Sequence, residues 1–164
     1  MKLLSTLLLF SFFQCSFATT YYISPQGSDE NGNGSISNPW QTLYRATTAV
    51  VTPGSIIHVS AGTYNEILQS TLAVGVSIEG DGVTSVLKSA LTADWKEMLT
   101  LVSETQGTKG NQRISNLKFD GQSLSTYLGI RIVGRSNVEV DHITMVDFKS
   151  NGIFFDARTD NKEA

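Results

Sequence analysis

The sequence predicts an all-β solenoid, a stack of parallel coils entered through a short capping helix. Three observations carry that expectation. Between Ser55 and Leu87 three short strands alternate apolar and polar residues, are separated by glycine turns, and show no helical period. Further on, strand patterns recur at a nearly fixed spacing. The composition suits such a fold: charged residues make up only 16% of the chain, and 14 of its 164 residues are glycine.

In chain order, residues 1–18 read as a secretory signal. Lys2 supplies the basic start and Leu3–Phe13 the apolar run. Ser16-Phe17-Ala18 places small residues three and one before a cleavage point. The run is too short to span a bilayer, so a secreted protein is expected, extracellular or periplasmic, with no membrane attachment after cleavage. Cys15, the only cysteine, leaves with the signal, so no disulfide supports the mature chain. Lys2 leaves too, taking the net charge from −3 to −4. Nothing in that balance suggests a nucleic-acid partner.

Residues 19–54 read as strand, polar loop and cap. Tyr21–Ser24 is a short strand stopped by Pro25 and Gly27. Asp29-Glu30-Asn31-Gly32-Asn33-Gly34 fits the first half of a calcium loop, but Trp40 stands where the bidentate Glu belongs, so a polar turn is the expected reading. Trp40–Val51 is the one helical candidate: Leu43, Ala46 and Val50 share a face, and Pro53-Gly54 ends the run. Its β-branched residues predict a short helix, placed to cover the open end of the first coil.

Residues 55–164 are the coils. His58, between Ile57 and Val59, is expected to face outward as an ordinary surface residue. Met98–Val102 reads as a strand and Glu104–Gln112 as a polar loop thrown out from a corner. Then the repeat becomes visible. Gly129-Ile130-Arg131-Ile132 returns 23 residues later as Gly152-Ile153-Phe154-Phe155, and Ile114–Phe119 returns 26 residues later as Val140–Met145. Asn116 and His142 fall on equivalent bends, a structural role.

These residues also carry a resemblance. Tyr22-Ile23-Ser24-Pro25-x-Gly27-Ser28-Asp29, Asn38-Pro39-Trp40-x-Thr42-Leu43 and Pro53-Gly54-x-Ile56-x-x-Val59-x-x-Gly62-Thr63-Tyr64-x-Glu66 resemble the opening of secreted right-handed parallel β-helix proteins of the pectate-lyase-like superfamily. The resemblance implies a right-handed parallel β-helix, and among activities it implies above all polysaccharide lyases acting on uronate polymers. Such enzymes commonly use calcium and a Lys or Arg base on the outer face of middle coils. Glycoside hydrolases and non-catalytic adhesins or polysaccharide-binding proteins are the alternatives. Pectin methylesterases share Gly62-Thr63-Tyr64-x-Glu66 and Gly80-Asp81-Gly82, but their catalytic blocks are absent, so that activity is set aside. No lyase motif transfers residue by residue, and no catalytic residue is assigned.

A candidate binding strip can still be drawn. Alternation places Arg131 and Phe154 outward at equivalent positions, with Arg135 and Arg158 related by the same offset and Asp156 on the face of Phe154. Arg131, Arg135, Phe154 and Arg158 would contact an acidic polysaccharide, and Asp156 would help hold calcium. Asp120, Asp141 and Asp147 are further carboxylates without assigned roles. The coil begun at Gly152 lacks a cap before Ala164, so these residues are expected to be the N-terminal part of a longer, C-terminally truncated β-helix and to be inactive alone.

Overall fold

A computed structural model describes residues 18–92, 96–123 and 126–156; residues 1–17, where a secretory signal is expected, Ala93-Asp94-Trp95 and Arg158 lie outside the described residues. The chain forms a parallel β-helix. After β1 (Thr20–Ile23) and α1 (Leu43–Ala49), the first coil is β2 (Ile56–Val59), β3 (Gly62–Glu66) and β4 (Ser70–Thr71). The second is β5 (Ser77–Gly80), β6 (Ser85–Ser89) and β7 (Glu97–Val102). In the third, β8 (Thr108–Asp120) does the work of two strands before β9 (Leu128–Val133), and in the fourth β10 (Arg135–Val146) does the same before β11 (Asn151–Asp156).

Every pairing between these strands is parallel, and three stacks result. The first runs β1, β2, β5 and the leading halves of β8 and β10. The second runs β3, β6 and their trailing halves. The third runs β4, β7, β9 and β11. The two repeat spacings read from sequence are the registers observed: Ile153 lies opposite Ile130, and Val140 opposite Ile114. Asn116 and His142 mark the bends between the first two stacks. Both adopt left-handed backbone, at φ 58° and 50°, where Asn and His are among the better tolerated side chains.

The interior consists of rows, one residue per coil. Ile57, Ile78, Ile114 and Val140 form one row, and Tyr64, Leu87, Phe119 and Met145 another. In the third stack Leu99, Ile130 and Ile153 align, beside Leu101, Ile132 and Phe155. The members on the inner coils are buried, whereas on the last described coil Val140, Met145 and Ile153 are only partly buried and Phe155 is 64% exposed. Burying each such Ile or Leu contributes roughly 1.5–3 kcal/mol, and no disulfide is needed.

The cap explains the opening motif. Helix α1 is shorter than the Trp40–Val51 reading because Thr42 caps it, accepting from the Arg45 amide at 3.1 Å, and Val50 is already extended. Leu43, Ala46 and Val50 are buried as their spacing predicts. Trp40 instead anchors the polar loop. It is 4% exposed, stacks on Tyr21 at 5.7 Å, donates Nε1–H to the Gly32 carbonyl at 2.9 Å and lies under the Arg45 guanidinium. Gly34 is required there: its φ is +78°, and a Cβ would sit 2.5 Å from the indole. Asp29 is a cap residue and not part of a calcium loop. Its Oδ1 accepts from the Gln41 and Thr42 amides, and its Oδ2 from the Thr42 hydroxyl.

Gly62-Thr63-Tyr64-x-Glu66 completes the same joint. Gly62 packs where a Cβ would meet the Pro25 ring at 2.4 Å, and the Tyr64 hydroxyl lies between the Ile23 and Ser60 carbonyls. Glu66, 3% exposed, accepts from the Leu43 amide at 2.8 Å and the Tyr44 amide at 3.4 Å. Burial pushes its carboxyl up to about 7, against those two bonds, with Asp29 adding slightly. One further expectation is corrected. The polar loop after β7 closes by Gly107, because residues from Thr108 onward already pair in β8, with Gln112 donating to the Ala73 and Val76 carbonyls.

Candidate functional site

Because side chains alternate along each strand, every stack turns one row inward and one outward, with coils about 4.8 Å apart. Three outward faces result.

The face of the third stack carries most of the strip expected from sequence. Thr71, Thr100, Arg131 and Phe154 align in register. Arg131 Nη2 donates to Asp156 Oδ2 at 2.9 Å, and Nη1 lies 3.6 Å from Glu97 Oε1. Glu97 in turn accepts from the Gln69 amide. Arg131, Phe154 and Asp156 are therefore brought together, but the single cation sits between two carboxylates. Asp156 gives its oxygen to Arg131. No three His, Cys, Asp or Glu side chains converge on a metal-sized site among the described residues.

Arg135 does not belong to this strip. Gly134, at φ +65°, turns the chain between β9 and β10 and resets the alternation, so Arg135, four residues after Arg131, is not carried onto the same face. The Arg135 side chain folds back across the coils. Nη1 donates to the Leu72 carbonyl and Gln112 Oε1, both at 2.9 Å, Nη2 to the Val102 carbonyl at 2.6 Å, and Nε to Ser103 Oγ at 3.0 Å. Burial pushes its pKa down. Arg135 ties four chain segments together and is spent on them.

The face of the second stack was not singled out in the sequence. Asn65, Lys88 and Asp120 align on successive coils, and Lys118 stands beside Asp120, its Nζ 3.9 Å from Oδ2. Asp120 Oδ1 accepts from the Gln122 amide at 2.9 Å. Lys88 has no hydrogen-bond or ion-pair partner among the described residues. The signal was present in Leu87-Lys88 and Lys118-Phe119-Asp120, where each charge flanks a core residue, but their mutual register depends on loop lengths between coils.

The face of the first stack aligns Tyr22, His58, Glu79, Ser115 and Asp141. His58 faces outward as expected, its Nε2 3.1 Å from Asp81 Oδ1 and its ring tilted against Tyr22. Arg113 clasps Asp141 with two bonds of 2.8 and 2.7 Å. That guanidinium, and after it the neighbouring His142 ring, hold the Asp141 carboxyl below the usual carboxylate range.

Comparison with known proteins adds one finding. The pattern of a family described as "Protein of unknown function (DUF1565)" matches residues 26–159. No curated protein and no solved structure gave a match.

Proposed function

From the premise that the chain belongs to the DUF1565 family, we propose that it is a secreted, carbohydrate-active β-helix protein of the pectate-lyase-like kind. It takes a uronate-containing polysaccharide along the outward face of β3, β6 and β8. The observation that carries this reading is the placement of Lys88 and Lys118 on neighbouring coils of one outward face, with Asp120 beside them. The arginines of the later coils offer an anionic chain less, since Arg113, Arg131 and Arg135 each have partners within the protein.

Elimination on such a polymer passes the proton α to the uronate carboxylate to a base and breaks the C–O bond at the β position, leaving an unsaturated sugar on one fragment and, once the departing oxygen takes a proton from water, a hydroxyl on the other. Lys88 and Lys118 would hold that carboxylate and offset the charge developing on it as the proton leaves. Calcium, which the resemblance implies, does not fit the described residues. Asp120 already accepts a backbone amide and faces Lys118, and Asp156 is held by Arg131. We therefore derive no step through a metal.

The protein should be incubated with polygalacturonate and with alginate, following absorbance of the unsaturated product and, separately, retardation in polysaccharide-loaded gels. Lys88→Ala and Lys118→Ala should each weaken binding roughly 10-fold at low salt, with less effect as salt rises. Binding without product would remove the elimination and leave a polysaccharide-binding protein. Absence of both would remove the reading.

A further inference from the structure

The first stack carries a second groove whose chemistry is opposite to that of the lysine face. Ile56, Ser77, Ile78, Glu79, Arg113 and Ser115 line a cavity of about 180 Å³ on its outward side. It shares Ser77 and Arg113 with a neighbouring cavity of about 320 Å³ that reaches Asn111, Asn137 and Glu139. Together they run along several coils.

Two independent features mark this groove. The first is Ser115. The residue is 1% exposed, it lines the smaller cavity, and its hydroxyl has no hydrogen-bond partner among the described residues. A buried hydroxyl without a partner is destabilising, and a polar ligand in the cavity would relieve it. The second is charge. Glu79 lies next to Ser115 in register and makes no hydrogen bond among the described residues. Arg113 is already occupied by Asp141, with Glu139 3.9 Å away. Three carboxylates (Glu79, Glu139 and Asp141) thus surround one committed guanidinium. The rim adds amide and hydroxyl groups, among them the Asn137–Asn111 side-chain bond.

We infer that this groove binds a polyhydroxylated ligand carrying a cationic amine, a free amino-sugar unit of a glycan, with its hydroxyls on Ser115 and the rim amides and its ammonium at Glu79. A uronate would meet uncompensated negative charge there. A neutral sugar would satisfy Ser115 but forgo the ion pair.

Calorimetric titration with glucosamine oligomers, their fully N-acetylated counterparts and oligogalacturonates tests this. Glucosamine oligomers should bind saturably, the N-acetylated ones at least 10-fold more weakly, and oligogalacturonates not at this groove. Glu79→Gln should reduce the affinity about 10-fold. Ser115→Ala should reduce it several-fold without lowering the thermal midpoint, because the alanine removes a hydroxyl that has no partner in the free protein. Lys88→Ala should leave glucosamine binding unchanged, which separates this groove from the lysine face whatever happens there. No saturable binding of glucosamine oligomers, or equal affinity in Glu79→Gln, overturns the inference.

Discussion

Glu66 gives the most specific test of how the cap joins the coils. Its carboxylate is buried under the start of α1, where it serves two amides that the helix leaves without internal partners. Burial raises its pKa from 4.5 to about 7. Folded protein therefore binds this proton more tightly than unfolded protein. Below about pH 4.5 both states hold it and stability is complete. As pH rises from there through about 7 the folded state must give up a proton it favours, and stability falls. A shift of this size at 1.36 kcal/mol per pKa unit is worth about 3 kcal/mol.

Glu66→Gln removes the titration and keeps the shape. The amide oxygen can still accept from the Leu43 N–H, while the longer bond to Tyr44 is lost at a cost of roughly 0.5–1 kcal/mol. The variant should thus be slightly less stable than the parent at pH 4 and about 2 kcal/mol more stable at pH 8, with the curves crossing between. Urea unfolding followed by far-UV circular dichroism at pH 4, 6 and 8 measures both, and the difference between the two proteins cancels every other titrating group. Parallel curves, with the variant below the parent by the same margin at each pH, would refute the account of a buried, reluctantly charged cap.

Two other perturbations probe separate parts of the stack. Gly34→Ala should cost about 2–5 kcal/mol, from left-handed backbone at about 1–2 and overpacking at about 1–3 kcal/mol, and tryptophan emission should shift red as Trp40 is displaced. Arg135→Met should cost about 2–4 kcal/mol in urea unfolding, since the Leu72 and Val102 carbonyls lose their donor. Arg135→Lys should recover only part of that, because an ammonium cannot reach the whole set at once.

Much of the fold could be read because it rests on local pattern. Alternation picked out Ile57, Val59, Ile114, Leu117 and Phe119 as inward residues, and all are buried. The repeats of 23 and 26 residues survive as registers because consecutive coils of nearly equal length leave few other pairings that keep the apolar row inside. The bend residues were legible for a chemical reason: positions that need positive φ in β8 and β10 are filled by Asn116 and His142. The expectation for α1 overran at its start, since Trp40 carries an apolar side chain that suits a helix face or a loop core equally. Only contacts with Gly32 and Gly34, supplied by tertiary packing, separate those cases.

The outward faces were far less legible, and Arg131 and Arg135 show why. Alternation says which side of a strand a residue occupies. It is silent on whether a neighbouring coil answers its charge. Arg131 is answered by Glu97, 34 positions earlier, and Asp156, 25 positions later; Arg135 is answered by carbonyls as far back as Leu72. Such partners are set by the summed lengths of the intervening turns, so one inserted residue would change them without altering any strand pattern. Lys88 and Lys118 are the converse: unremarkable in sequence, they become neighbours only because the turns between β6 and β8 bring Lys88 opposite Asp120. In a solenoid the core is written along the chain, but the functional surface is written across it. The next insertion or deletion between coils would therefore reshuffle binding chemistry while leaving the stack intact.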